Sequence, residues 1–411
     1  MEINIKGLFQ KVLFVAFIGI FTLNASCTDK KKRDIEQVIN DALNKSVSQS
    51  LLMAEKYADQ PLVLPRSYID GEMTTSDYGW WCSGFFPGVL WYLYEDRGDE
   101  DLLKYAKQYT ARIEDAKYMT SNHDVGFMLY CSYGNGLRIT GDTTYNEVLL
   151  TGAKSLSERY HENMGLIKSW DFNEKIWQYP VIIDNMMNLE LLLWASKTSG
   201  DSTFKHISVS HADKTMSNHY RPDYSCYHVV SYDTITTEPH KKQTFQGYSD
   251  ESSWSRGQAW GLYGFTYMYR ETKEKRYLDQ ANRIASYLLN HPNMPKDYIP
   301  YWDFDAPNIP NEERDASAGA LIASALIELS SYVEKDAADK YLTVAEKQIR
   351  TLASDEYTAK VGENGNFILM HSVGSKPHNS EVDVPLTYAD YYYVEALVRY
   401  KKMMEKTAQD K

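Results

Sequence analysis

Apolar residues recur along most of the chain at the spacing of helical faces, and they are densest between Pro180 and Asp201. This stretch reads PVIIDNMMNLELLLWASKTSGD, which predicts a helix over 183–199 that is buried on nearly all sides. Asp184 is the only acid in the first turn of that helix. An acid at this place has an ordinary explanation as a helix cap, and that explanation stays open beside a functional one.

A recurring glycine-aspartate pair separates several of the predicted helices. Glycine ends one helix and aspartate caps the next at Gly98-Asp99, Gly141-Asp142 and Gly200-Asp201. Weaker copies follow at Thr272-Lys273 and Glu334-Lys335. The pattern predicts twelve helices in six pairs, near 34–57, 81–97, 99–116, 124–139, 142–162, 183–199, 201–218, 255–271, 274–290, 315–333, 337–353 and 385–405.

Six helical hairpins with their long connections at one end predict an all-α fold, an (α/α)6 toroid. We expect residues 33–411 to form this single domain, with the even-numbered helices as its inner ring. An open solenoid of the same hairpins is the alternative, although more regular spacing and polar capping repeats would then be expected.

Composition and charge narrow the class of protein further. The 411 residues include 33 Tyr and 9 Trp, and the formal net charge is −12. Aromatic rings stack on sugars in carbohydrate-active proteins, although most of them also pack a helical core. The acidic balance argues against nucleic acid as a partner. Cys82, Cys131 and Cys226 are too few and too scattered for a disulfide framework or a zinc site, so we expect buried thiols.

Residues 1–32 are predicted to be an export signal and a tether. Lys6 and Lys11 precede an apolar run over 12–23, which is shorter than the about 20 residues of a membrane span. The following LNASC resembles a lipoprotein signal in which Cys27 is acylated, and plain cleavage near Ala25 is the alternative. We therefore expect a protein in the periplasm of a Gram-negative envelope, or one anchored to a membrane only through Cys27.

Polar clusters begin each of the predicted inner helices, at 80–85, 122–127, 184–185, 253–260, 314–317 and 388–391. Because these helices would run in one direction, the clusters should meet around a pocket at one end of the ring. Helix N-termini favour an anionic ligand, and Arg256 would strengthen this preference. A structural salt bridge from Arg256 to Asp124 or Asp315 is the alternative, and it would not exclude a functional role. Asp124 and Asp184 beside tryptophans have the composition of a glycosidase site, where burial raises the pKa of one carboxyl.

Five segments, HDVGF, VIIDNMMNL, SSWSRGQAW, RDASAGA and YADYYYVEAL, resemble in this order the unsaturated glucuronyl hydrolases of glycoside hydrolase family 88. The resemblance implies an (α/α)6 barrel that releases a 4,5-unsaturated uronic acid from the non-reducing end of oligosaccharides left by lyases. It implies that Asp184 is the acid and base that hydrates the vinyl ether. It implies that Asp124 is the second carboxylate, which holds sugar hydroxyls and disfavours ionisation of Asp184.

Other site positions carry over from the same resemblance. Trp81 and Trp260 match stacking tryptophans, Gln246 and His228 match polar contacts to the reacting ring, and Arg256 matches an arginine of the family site. For His228 a structural role stays open, because its loop lacks metal-ligand spacing. Before the last helix, Ser372, Ser375 and Lys376 loosely resemble a loop that binds a sulfated second sugar. Lys241 and Lys242 are a second candidate for that role or a solvated loop.

No cofactor and no metal are expected, since the sequence has neither a phosphate-binding glycine loop nor histidines at ligand spacing. The predicted substrate is an unsaturated oligosaccharide derived from a glycosaminoglycan. Competing functions are an unsaturated rhamnogalacturonyl hydrolase acting on pectin fragments, a non-catalytic glycan-binding lipoprotein and a polysaccharide lyase on a similar toroid.

Overall fold

A computed structural model describes residues 33–409. The predicted export signal and Cys27 lie outside these residues. The described part of the chain contains the α-helices α1 Ile35–Lys56, α2 Phe85–Arg97, α3 Glu100–Ala111, α4 Val125–Leu129, α5 Asn135–Thr140, α6 Tyr145–Ser157, α7 Leu189–Ser199, α8 Ser202–Asn218, α9 Ser255–Thr272, α10 Lys275–Asn290, α11 Ala316–Ser330, α12 Lys335–Leu352 and α13 Thr387–Gln409.

The inner helices form a closed ring. Helix α2 packs on the turn after α4, α4 packs on α7, and α7 packs on α9. The ring continues through α11 to α13, which packs back on α2. In an open solenoid the first and last inner helices would lie far apart, so this contact excludes the alternative and confirms the (α/α)6 toroid.

The three glycines end helices as predicted, and Asp99 and Asp201 cap the next helices, but Asp142 does not, because the helix after it begins at Tyr145 with Thr144 at the N-cap. Gly98, Gly141 and Gly200 adopt left-handed backbone with φ of 65°, 70° and 77°. Asp99 then accepts hydrogen bonds from the backbone N–H groups of Asp101 and Leu102, and Asp201 caps α8 in the same way. A side chain at these places would meet only open space, so crowding does not explain the glycines. The left-handed φ does, because other residues rarely adopt it.

Two of the predicted inner helices are interrupted. The helix predicted over 124–139 consists of α4, a π-helical turn over Tyr130–Gly134, and α5. The helix predicted from 183 starts with a 3-10 segment, Ile183–Asn188, and becomes α-helical only at Leu189. The backbone N–H of Ile183 donates to the carbonyl of His228, so the sheet pairing of the preceding strand extends to the first residue of this segment.

Four small antiparallel sheets, which the sequence did not predict, occupy the long connections. Strand β1 pairs with β2, β3 with β4, β5 with β6 and β7, and β8 with β9. The strands are β1 Leu64–Ile69, β2 Glu72–Ser76, β3 Tyr160–His161, β4 Leu166–Ile167, β5 Tyr179–Ile182, β6 Val229–Tyr232, β7 Pro239–Gln243, β8 Ser372–Ser375 and β9 Ser380–Val384. Strands this short are stabilised by packing against neighbouring elements, and they contain too few residues to show an alternating pattern in the sequence.

Within residues 33–409, no helix is long and apolar enough to cross a membrane. Cys82, Cys131 and Cys226 are free thiols, and Cys82 and Cys226 are buried. One apolar cluster runs from Ile39 on α1 to Tyr400 on α13 and joins both layers of helices.

Candidate active site

A cavity of about 300 Å³ opens at the end of the ring where the inner helices begin. Segments from the β1–β2, β5–β6–β7 and β8–β9 sheets complete its wall. The lining residues are Arg66, Trp80, Trp81, Asp124, Trp170, Phe172, Ile182, Asp184, Phe245, Gln246, Arg256, Gly374, Ser375, His378, Ser380, Glu381 and Tyr388.

Asp184 and His228 are brought together by the central sheet. Ile182 at the end of β5 pairs with Val229 at the start of β6 in an antiparallel pair. The residues just after β5 and just before β6 are therefore neighbours. His228 Nε2 lies 3.7 Å from Asp184 Oδ2. Both atoms are buried, and neither has a hydrogen-bond partner among the described residues.

Asp124 occupies the N-cap position of α4 but does not cap it. Its side chain makes no capping hydrogen bond. The free backbone N–H of Phe127 is satisfied instead by Asn188 Oδ1, at 2.8 Å, from the segment that follows Asp184. The ordinary explanation of an acid at a helix start therefore fails for Asp124.

Two other buried acids at this end of the ring have structural roles. Asp315 accepts hydrogen bonds from the backbone N–H and the hydroxyl of Ser317 and pairs with Arg256. Asp390 accepts the backbone N–H groups of Ile368 and Leu369 at 2.9 and 2.8 Å. Asp124 and Asp184 differ from both because they line the cavity, and unlike Asp315 neither of them caps a helix.

Burial governs the protonation of the two cavity acids. It raises the pKa of Asp124 to about 8, and the negative charge of Asp184 adds to this rise. Burial also raises the pKa of Asp184 to about 7, although Arg256 and, more weakly, the indole N–H of Trp260 favour the ionised form. Near neutral pH the pair therefore retains a proton that an exposed carboxyl would have lost.

Two neutral histidines stand beside the acids. His228 Nδ1 accepts the backbone N–H groups of Phe245 and Gln246 at 3.1 and 3.2 Å, so its proton is on Nε2, which faces Asp184. His123 Nε2 lies 3.4 Å from Asp124 Oδ1. Burial lowers the pKa of His123 to about 3 and that of His228 well below its ordinary value.

Arg256 is the cation at the floor of the cavity. It pairs with Asp315 at 2.9 Å and donates to the carbonyl oxygens of Val373 and Gly374, so the salt bridge to Asp315 is the one that forms. Its guanidinium also lies over the ring of Trp254. These contacts hold the buried guanidinium of Arg256 in one orientation, with its positive charge at the cavity.

Aromatic rings make two walls. Trp81 packs against Tyr388 with ring centroids 4.8 Å apart. On the other side Trp170 stacks on Phe172 at 4.8 Å and contacts Phe245. Such walls suit the flat apolar faces of sugar rings and exclude water from the carboxyls.

Several positions predicted from the resemblance do lie in this cavity, namely Trp81, Asp124, Asp184, Gln246, Arg256 and Ser375. His228 stands directly behind Asp184. Gln246 is held by a hydrogen bond from its side-chain amide to the carbonyl of Gly374.

Three predicted positions do not face the cavity. Trp260 is fully buried between Phe127 and Tyr392, so it supports the floor and cannot stack on a sugar. Ser372 is also fully buried. The Lys376 ammonium is paired with Glu312, at 2.6 Å, and with Glu313, which leaves it turned away from the cavity.

Sequence reasoning missed the aromatic wall and the residues at the mouth. Trp170, Phe172 and Phe245 lie in connections without helical periodicity, and Arg66, His378 and Glu381 lie in two hairpins. The aromatic spacing W-x-F at 170–172 was the one available signal, and alone it does not distinguish a site from a packed loop.

Buried carboxyls that keep a proton, in a cavity walled by aromatic rings, form the arrangement of a glycoside hydrolase. Comparison with known proteins gives the family. The model of Glycosyl Hydrolase Family 88 matches residues 64–405, so the chain belongs to that family.

Similar proteins cover almost the whole chain. An unsaturated glucuronyl hydrolase of Formosa agariphila is 41% identical over 96% of this chain and 99% of its own length. An unsaturated chondroitin disaccharide hydrolase of Streptococcus pneumoniae is 32% identical over 89% of this chain and 93% of its own length. A crystal structure of an unsaturated glucuronyl hydrolase specific for heparin is 48% identical, with a TM-score of 0.87 over 90% of this chain and 98% of that one.

Proposed function

We propose that this glycoside hydrolase removes a 4,5-unsaturated uronic acid from the non-reducing end of glycosaminoglycan oligosaccharides that lyases have produced. One observation carries the proposal. Asp184, which is buried, and Asp124, which is half-buried, line the cavity and cap no helix, whereas Asp315 and Asp390 are occupied by structural hydrogen bonds. The similar proteins named for chondroitin and heparin support a glycosaminoglycan source.

The proposed reaction is hydration of the vinyl ether. Protonated Asp184 gives its proton to C4 of the C4=C5 bond, and positive charge develops at C5 and the ring oxygen. Water adds to C5 and returns a proton to the Asp184 carboxylate. The resulting hemiketal opens by breaking the bond between C5 and the ring oxygen, and the hemiacetal left at C1 releases the remaining sugar.

The surroundings of Asp184 suit both halves of this reaction. A pKa near 7 leaves much of the carboxyl protonated when substrate arrives at neutral pH. After proton transfer the Nε2–H of His228, 3.7 Å away, can shorten its approach and stabilise the carboxylate. Asp124 is proposed to bind sugar hydroxyls, and Arg256 is proposed to face the uronic carboxylate at the floor of the cavity.

The ultraviolet absorbance of the conjugated C4=C5 bond provides a direct test. Wild-type protein should abolish the absorbance of unsaturated chondroitin or heparin disaccharides. Unchanged absorbance with tight binding would identify a non-catalytic glycan-binding protein, and a rise on intact polysaccharide would identify a lyase. Faster turnover of an unsaturated galacturonyl-rhamnose disaccharide than of the glucuronyl substrates would instead identify the pectin-directed class.

We also propose that the protein is exported and anchored by acylation of Cys27. The support is the lysine-flanked apolar run and the LNASC segment of the sequence. A labelled fatty acid should be incorporated into the wild-type protein and not into Cys27→Ala. Label that persists in the variant, or is absent from both, would contradict the anchor.

A further inference from the structure

Positive charge at the cavity is concentrated in two arginines. Of the described residues that line it, Arg66 and Arg256 are the arginines, and none is a lysine. Arg256 is 1% exposed and is committed to Asp315 and two backbone carbonyls at the floor. Arg66 lies in the β1–β2 hairpin and has no role in the reaction proposed above.

A β-bulge directs Arg66 toward the cavity. In the pairing of β1 with β2, Pro65 is opposite Thr75 and Ser67 is opposite Thr74, so Arg66 is the extra residue between them. A bulge turns one side chain out of the regular alternation of a strand. Ser67 then ties the strand to the chain before α13, because its hydroxyl donates to the carbonyl of Pro385 at 2.7 Å.

Two contacts hold the guanidinium flat while leaving one edge free. Arg66 Nε donates to Glu381 Oε1 at 2.6 Å, and the guanidinium carbon lies 4.2 Å from the centre of the Trp80 ring. Within residues 33–409, the Nη1 and Nη2 groups of Arg66 make no hydrogen bond. A fixed guanidinium with a free pair of N–H groups is suited to bind a tetrahedral anion through two hydrogen bonds.

The exposed fraction of the side chains around the cavity increases from its floor to its mouth. Asp184 and His228 are buried, whereas Trp80 and Phe172 are 40% and 43% exposed. The unsaturated ring must reach Asp184, so the sugar attached to it lies toward the mouth, beside Arg66. In a glycosaminoglycan disaccharide the additional anions are sulfate groups, and they distinguish one substrate from another.

We propose that Arg66 binds a sulfate group on the second sugar, an inference that rests on the proposed function. Trp80 and Glu381 are its positioning residues. Lys376, which the sequence suggested for this role, is paired with Glu312 and Glu313 over the ring of Trp302. Arg66 therefore replaces Lys376 as the residue that determines sulfate selectivity.

The test compares kcat/KM for matched unsaturated disaccharides with and without sulfate on the second sugar. Arg66→Gln should lower the ratio of sulfated to unsulfated kcat/KM by about tenfold, the value of one charge-assisted contact. Arg66→Lys, which keeps the charge but loses the planar fork, should lower the ratio less. Lys376→Ala is the matched control and should leave the ratio unchanged. Thermal melting establishes that each variant is folded.

Three outcomes would overturn the proposal. An unchanged ratio in Arg66→Gln would show that Arg66 does not bind sulfate, and a reduced ratio in Lys376→Ala would return that role to Lys376. If Arg66→Gln lowered kcat/KM only for substrates sulfated on the unsaturated ring, Arg66 would contact that ring and not the second sugar. Failure of the wild-type protein to consume any of these disaccharides would instead refute the proposed function itself.

Discussion

Buried acids lie at both ends of the helical ring, but their partners differ. At the cavity end, the arginine that acts on Asp124 is Arg159, which is already paired with Asp171. The arginine near Asp184 is likewise already paired with Asp315. Toward the C-terminal ends of the inner helices, a second cavity of about 330 Å³ is lined by Glu190, Glu271 and Glu395 together with three arginines.

At this far end the arginines neutralise the acids. Arg270 binds Glu328 through two hydrogen bonds of 2.8 and 2.9 Å and also contacts Glu190. Arg399 pairs with Glu328 and Glu395. Although burial opposes ionisation, Arg270 and Arg399 hold the pKa of Glu328 below its ordinary value. Burial raises the pKa of Glu190 to about 7 even beside Arg270, whereas Glu328, which has both arginines, keeps a lowered pKa. The number of arginines around each acid, and not burial alone, therefore decides its charge.

The largest expected effect concerns catalysis at the cavity end. Asp184→Asn should lower kcat by at least ~10²-fold and preserve the fold, because an amide cannot transfer the proton. Asp390→Asn is the matched control at the same end. It should lower the melting temperature through its backbone contacts and keep kcat within a few-fold. Retention of more than about a tenth of the wild-type kcat by Asp184→Asn would remove Asp184 from the mechanism.

The far end should show the opposite behaviour. Arg270→Met leaves the half-buried Glu190 without its cation and Glu328 with Arg399 alone, and should reduce the free energy of unfolding by about 3–5 kcal/mol. The kcat of the folded fraction should stay near the wild-type value. Lys197→Met, which removes an exposed partner of Glu271 at the same end, should cost under about 1 kcal/mol. Denaturant unfolding would measure both, and equal losses would contradict a buried network centred on Arg270.

Stability should depend on pH through Asp184. Its folded pKa is about 7 against an ordinary value of 3.8, so its stabilising effect is complete below pH 3.8 and is lost as pH rises through 7. Asp184→Asn lacks this loss, and its melting temperature should exceed that of the wild type at pH 8 by about 1 °C for each kcal/mol regained in a domain of this size.

The control for this prediction is Asp201→Asn at an exposed cap. Hydrogen bonds from the backbone and hydroxyl of Thr203 lower the pKa of Asp201, so it is ionised in the folded and the unfolded protein above pH 5. Its difference from the wild type should therefore stay constant between pH 5 and 8. A constant difference for Asp184→Asn as well would mean that Asp184 is already ionised in the folded protein.

The smallest expected effect compares a local cap with one made through tertiary structure. Asn188→Ala removes the acceptor for Phe127 N–H and should reduce the free energy of unfolding by about 1 kcal/mol, as should Asp99→Ala at α3. Asn188→Ala should in addition lower kcat/KM, because α4 carries Asp124 at its start. An equal kcat/KM in the two variants would show that this cap does not position Asp124.

Residue type and spacing predicted several acids at one end of the ring but could not distinguish the acids that line the cavity from the structural ones. Asp124, Asp184, Asp315 and Asp390 all lie at or near the starts of predicted inner helices. Their roles differ because Arg256 pairs with Asp315 and Ile368 donates to Asp390, and both contacts come from segments distant in sequence. The resemblance of segments selected the correct pair for the cavity, whereas residue type and spacing alone left the capping explanation open.

Local signals determined the helices, their pairing and the direction of the ring, because helical periodicity and the left-handed glycines at 98, 141 and 200 act over a few residues. Tertiary structure alone decided that Ile183–Asn188 would not be α-helical, that Lys376 would be paired, and that Arg66 would reach the cavity. Each of these depends on strands or acids far away in sequence, such as β6 for Asp184 and Glu381 for Arg66. Such contacts are stabilised by interactions between segments that are distant in sequence, and a local pattern of apolar and polar residues does not predict them.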